Sequence, residues 1–106
     1  VAVAFAGLRA WQPLRVTGES MVPALRSGDV VLVERKAAAR IGDIVLIRRP
    51  GQPAVLHRVI GCGADGSLVT KGDANPTRDI RSVAPKYAAG RVAAVVPTGA
   101  LVARLR

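Results

Sequence analysis

Ser20, His57, Asp73 and Asp79 are the side chains of this 106-residue chain whose types together make a chemistry. A hydroxyl, an imidazole and a carboxylate are the parts of a nucleophile, a general base and an orienting acid. They lie in three separate runs. VTGESMVPALRSGDVVLVER covers residues 16–35, GDIVLIRRPGQPAVLHRVIG covers residues 42–61, and TKGDANPTRD covers residues 70–79. A folded sheet can gather such runs at one point, and a serine protease is then the leading reading.

Taken singly, each residue has a plainer account. Ser20 sits between Gly18 and Pro23, and glycine lets the backbone take conformations that other residues avoid. A serine at such a corner can present its hydroxyl, and the N–H groups after it can face a developing oxyanion. Most serines near a turn are helix caps instead. His57 is the only histidine. An ordinary imidazole, with a pKa of about 6.5, suits removal of a hydroxyl proton near neutrality. On a strand over residues 54–60 it shares a face with Val55 and Val59, where a lone histidine is more often structural. Asp73 and Asp79 are flanked by Gly72, Asn75 and Pro76, and an aspartate in such a turn ordinarily bonds its own backbone. Gly72 and Asn75 are the company of a turn-forming Asp73. Asp79 lies past Pro76, where the chain can return toward the sheet and orient an imidazole. Lys71 is a second candidate base, ranked below His57.

The elements that must position these residues read as strands. Half the chain is apolar, yet only Phe5, Trp11 and Tyr87 are aromatic, so the core is aliphatic. Val and Ile crowd a helix and suit a pleated sheet. Turn residues punctuate short apolar runs, which predicts strands over residues 14–17, 29–34, 43–48, 54–60, 67–71 and 90–96. Residues 21–25 read as one helical turn with Ser20 at its start, and residues 80–89 are ambiguous. The length suits one domain, and this punctuation predicts a mainly β barrel or sandwich.

The net charge is +9, which makes nucleic acid the first partner to weigh. The basic residues are scattered, however, with no run longer than two and no aromatics interleaved to stack bases. Nucleic acid is therefore disfavoured, and anionic lipid headgroups fit as well. Cys62 is alone and cannot form an internal disulfide. One histidine and no Cys/His cluster leave no zinc site, and neither metal nor cofactor is expected. The apolar start VAVAFAGLRAW is too short for a span of about 20 residues. Residues 1–13 read as the exit end of an N-terminal membrane anchor, and residues 14–106 as a β catalytic domain.

Taken together, the three runs resemble the type I signal peptidase family. Residues 18–33 match its serine box, G-x-S-M-x-P-x-L-x-x-G-D-x-x-x-V. Gly42 to Val45, followed by His57-Arg58-Val59, match its second box. Gly72, Asp73, Asn75 and Asp79 match its third, and Gly90-Arg91-Val92 through Pro97 and Gly99 look like the family's last strand. His57 stands where bacterial housekeeping members carry Lys, so the chain resembles the Ser/His branch of archaea, the endoplasmic reticulum and some Gram-positive bacteria. The resemblance implies Ser20 as nucleophile, His57 as general base, Asp79 as orienting acid and Asp73 as a supporting residue. It implies a mainly β, signal-peptidase/LexA-like barrel-sandwich, tethered to the cell membrane and working outside the cytoplasm.

The substrates implied are signal-peptide-bearing preproteins cut after small residues, the A-x-A rule. An extended preprotein segment would lie between Leu14, Val16 and Thr17 on one side and Ala54, Val55 and Leu56 on the other, paired by main-chain hydrogen bonds. Gly18 and Met21 complete the expected substrate-binding set. Two positions depart from the pattern. Gly18 replaces a hydroxyl residue that donates to the oxyanion in some relatives, which leaves that role to backbone N–H groups such as Ser20's and to Thr17. Glu19 replaces a frequent glycine.

Two rival readings stand beside this one. A self-cleaving repressor domain of the LexA type shares the serine box and the β fold, but uses Lys as base. It cuts its own Ala-Gly bond well upstream, whereas Ala6-Gly7 here lies only fourteen residues before Ser20. The other rival is a basic β module that binds membrane or RNA without chemistry.

Overall fold

The structure, a computed structural model, describes residues 10–99. Residues 1–9, most of the expected anchor segment, lie outside the described residues, as does the Ala6-Gly7 pair. Among the described residues six strands form one antiparallel sheet: β1 (Trp11–Arg15), β2 (Val30–Arg35), β3 (Ile44–Ile47), β4 (Val55–Cys62), β5 (Leu68–Lys71) and β6 (Ala88–Val96). Their order across the sheet is β1-β2-β6-β3-β4-β5. A single 3₁₀ turn, Pro85–Tyr87, leads into β6. The mainly β class expected from the β-branched runs is the class observed.

The central strand shows how the sheet is built. All four residues of β3 are buried. Ile44 and Leu46 join a cluster with Val16, Met21, Leu25, Val31 and Val33 on one face. Val45 and Ile47 join Val59, Leu68 and Val83 on the other. Side chains alternate across a strand, so an unbroken IVLI run fits a strand covered on both faces. Each such side chain, fully buried, contributes about 1.5–3 kcal/mol. Gly90 lets β6 cross β2 closely, since a Cβ there would sit 2.5 Å from the Glu34 carbonyl oxygen.

Besides end shifts of one or two residues, such as β4 running on to Cys62, expected and observed strands differ in two places. The first strand begins at Trp11, before the expected boundary at Leu14. Pro13 within it is tolerated because β1 is an edge strand, paired with β2 alone. Val16 and Thr17 then leave the strand, although Val16 keeps bonds to Asp29 O and Gly28 N. The ambiguous stretch 80–89 resolves into an isolated bridge from Val83 to Leu68, the 3₁₀ turn, and the start of β6. Residues 21–25 form one turn closed by Leu25 N–H donating to Met21 O.

Two stretches of strand edge are open. β4 pairs with β3 from Val55 to Arg58, but pairs with β5 only from Arg58 onward. The outer edge of Val55, Leu56 and His57 therefore has no strand partner among the described residues. The end of β1 and its continuation through Thr17 present a second open edge.

Candidate active site

The three Gly-Asp pairs of the sequence do two different jobs. Asp29 Oδ2 accepts from the Arg26 N–H at 2.8 Å, and its Oδ1 accepts from Gly99 N–H at 2.8 Å. Asp43 Oδ2 accepts from Arg40 N–H at 2.9 Å. Both are turn-forming aspartates, preceded by Gly28 and Gly42 at positive φ. They set the starts of β2 and β3. Asp73 instead reaches across to another run. It accepts two hydrogen bonds from Arg58, Nε to Oδ1 at 3.1 Å and Nη2 to Oδ2 at 2.6 Å. That fork-to-fork pairing holds the Asp73 carboxyl below its usual range and raises Arg58.

This pair clamps the third run against β4, and backbone contacts clamp it against the serine. Ala74 N–H donates to Ser20 O at 2.9 Å, and Asp73 N–H faces Met21 Sδ at 3.4 Å. Gly72 makes the approach fit. A Cβ at that position would lie 2.8 Å from Ser20 O and 2.7 Å from Asn75 Nδ2. The glycine is required by space.

Held in this way, the side chains form a relay. His57 Nε2 lies 3.1 Å from Ser20 Oγ, and His57 Nδ1 lies 2.6 Å from Asp79 Oδ2. The carboxylate accepts only, so it places the imidazole proton on Nδ1 and leaves Nε2 to accept from the serine hydroxyl. Asp79, not Asp73, is thus the acid bonded to His57. Lys71 Nζ points elsewhere, toward Gly72 O at 3.1 Å and Asp73 O at 3.4 Å. The Ser20 backbone N–H has no acceptor among the described residues.

The sequence reading missed one member of the group. Thr70, 1% exposed, donates its hydroxyl to the same Asp79 Oδ2 at 2.7 Å, and Asp79 N–H donates to Thr70 O at 2.8 Å. The only signal for it was its place in the run TKGD, two residues before Gly72.

Beside Ser20 opens an apolar cleft of about 460 Å³. All eight positions expected to meet a substrate line it: Leu14, Val16, Thr17, Gly18, Met21, Ala54, Val55 and Leu56. Arg15, Leu46 and Pro53, which were not expected, line it too. The cleft lies between the two open strand edges, with Ser20 and His57 in its wall. A nucleophile, a base on its oxygen, an acid on the base and a strand-width groove can together perform acyl transfer on an extended peptide.

No curated protein matches the chain. The family model described as Peptidase S24-like matches residues 10–96, most of the sequence and nearly all of the described structure. This chain belongs to the S24-like peptidase family, a family of serine peptidases.

Proposed function

We propose that this protein is a serine endopeptidase that removes signal peptides from exported preproteins, cutting after small residues. The observation that carries the reading is the Ser20–His57–Asp79 relay set in the wall of an apolar cleft between two open strand edges. A preprotein segment pairs along those edges and brings its scissile carbonyl to Ser20 Oγ. His57 Nε2 takes the hydroxyl proton as the Cβ–Oγ oxygen bonds to the carbonyl carbon. The Ser20 N–H faces the oxyanion. His57 returns the proton to the leaving amine as the C–N bond breaks, and Asp79 stabilises the imidazolium meanwhile. Water, deprotonated by the same imidazole, then hydrolyses the acyl-enzyme and frees Ser20.

The resemblance of the three boxes to the Ser/His signal peptidases supports the substrate class. Preproteins emerge at a membrane, so the proposed setting is the extracytoplasmic face of the cell membrane, with anionic headgroups as neighbours. Among the described residues no helix is long and apolar enough to cross a membrane.

A second reading, a self-cleaving regulatory domain, is favoured by the breadth of the S24-like family match. One experiment separates the two. The purified protein is mixed with a preprotein carrying an Ala-x-Ala site, beside the Ser20→Ala variant. The expected result is cleavage after the second alanine, at a rate that scales with enzyme concentration, and none by the folded variant. Undiminished cleavage by Ser20→Ala sinks the assignment. Concentration-independent cleavage of the chain itself, with the preprotein untouched, establishes the self-cleaving reading instead.

A further inference from the structure

A second cleft, of about 480 Å³, lies on the other side of the histidine and plays no part in the mechanism above. We propose that it is a subsite for an acidic side chain, two residues before the scissile bond of an extended substrate. The proposal rests on the peptidase reading and names a specificity that reading lacks.

Strand geometry places the subsite. Leu56 packs with the first core cluster and Val55 with the second, so neighbouring residues of β4 face opposite sides. The apolar cleft opens on the side of Leu46 and Leu56. The second cleft opens on the side of Ile47 and Thr70. Val55 and His57 border both. A peptide added along the open edge of Val55, Leu56 and His57 must alternate its own side chains between the two sides. With the residue before the scissile bond in the apolar cleft, its predecessor faces the second one.

Charge names the ligand. Arg49, Arg78 and Arg81 line this cleft. Arg78 and Arg81 form no ion pair among the described residues. The Arg49 guanidinium is held 5.8 Å from the Tyr87 ring centre and donates to Ser82 O at 3.3 Å, with its Nε buried and unpartnered. The one carboxylate in the lining, Asp79, already accepts from His57 and Thr70. Three cations around one engaged anion attract a carboxylate and repel an ammonium. Exposed Ile80 at the rim offers a methylene stem an apolar contact.

The test uses three peptides identical but for the middle residue of the site, Ala-Glu-Ala, Ala-Gln-Ala and Ala-Lys-Ala. For the wild-type chain kcat/KM is measured, and for Ser20→Ala the Kd is measured by fluorescence anisotropy. The expected result is a Glu-over-Lys preference of about tenfold at low salt in both measurements, shrinking as salt screens the charges. In the Arg78→Gln/Arg81→Gln variant that ratio falls to about twofold or less. Equal handling of Glu and Lys by the wild type overturns the subsite, as does a preference that persists in the double variant. If Ser20→Ala binds the Glu peptide preferentially while the wild type cleaves none of the three, the peptidase reading fails and the subsite stands. If all three are cleaved alike, the reverse holds.

Discussion

Asp79 Oδ2 accepts two hydrogen bonds, one from the imidazole of His57 and one from the hydroxyl of Thr70. The first holds the imidazole in place, which suits the proposed role of orienting acid, and the second fixes the direction in which the carboxylate points. Removing the acid leaves the wrong histidine tautomer and an unstabilised imidazolium, a loss of about 10⁴ in rate in other triads. Asp79→Asn is therefore expected to fold normally and lose most activity, as read by single-turnover cleavage. Thr70→Val should be milder. Losing one hydrogen bond to a charged group, about 1.5–3 kcal/mol, should lower kcat about tenfold or more and leave KM nearly unchanged. Thr70→Ser should restore it. A Thr70→Val enzyme with wild-type kcat and pH profile would show that the hydroxyl only fills space. Ser20, His57 and Asp79 were legible in the sequence because each type is rare there or set in a patterned run. Thr70 was not, because a buried threonine in a strand looks like any β-branched residue. Its function depends on a partner nine positions away that only the folded loop brings back.

Segment by segment, the third run acts as a brace between the serine loop and β4. Gly72 lets it close on Ser20 O, and Arg58 holds it through Asp73. Gly72→Ala should push the run off the serine by the few tenths of an ångström that a 2.8 Å Cβ contact demands. A folded variant with cleavage reduced about tenfold is expected, since a full displacement near 1 Å carries a loss of about 100-fold. Full activity in Gly72→Ala would mean that the brace has no bearing on the site. The Arg58 contact also makes a pH prediction. Asp73 is held below its unfolded value of about 3.9, so its contribution is full at neutral pH and is lost as pH falls through the folded-state pKa. The melting temperature of the wild type should exceed that of Asp73→Asn at pH 7, and the two should converge in acid. Parallel curves down to the lowest pH would contradict the linkage. Strand positions were legible because glycine and proline bound the aliphatic runs. The early start of β1 was hidden by Pro13, which argues against a strand except at an edge, and edges are a property of the assembled sheet. The bridge between Val83 and Leu68 is likewise a distant pairing that leaves no local pattern.

Across the whole molecule, the seven acidic residues are nearly all engaged. Asp29, Asp43 and Asp65 hold turns, Glu34 pairs with Arg91, Asp73 with Arg58, and Asp79 with His57. Glu19, beside Ser20, is exposed. These seven carboxylates stand against sixteen Lys and Arg residues. The excess of nine positive charges gives the protein a net positive field. Such a field draws the protein to any polyanion, so sign alone cannot choose between lipid and nucleic acid. Shape and surface chemistry can. Single-stranded nucleic acid is gripped by stacking on aromatic rings, and only Trp11 and Tyr87 are aromatic among the described residues. An anionic bilayer needs no such rings. It rewards cations near its surface by about 1 kcal/mol each, and tolerates exposed aliphatics such as Ile41, Ile60 and Ile80. Co-sedimentation with vesicles should show binding to phosphatidylserine-containing bilayers at low salt and little to purely zwitterionic ones. The binding should fade as the Debye length drops below its value of about 10 Å at 0.1 M salt. A poly(U) competitor at equal phosphate concentration should displace the protein only weakly. Strong displacement by the RNA, or equal binding to zwitterionic vesicles, would remove the electrostatic case for a membrane-surface enzyme and leave the catalytic site to be explained without it.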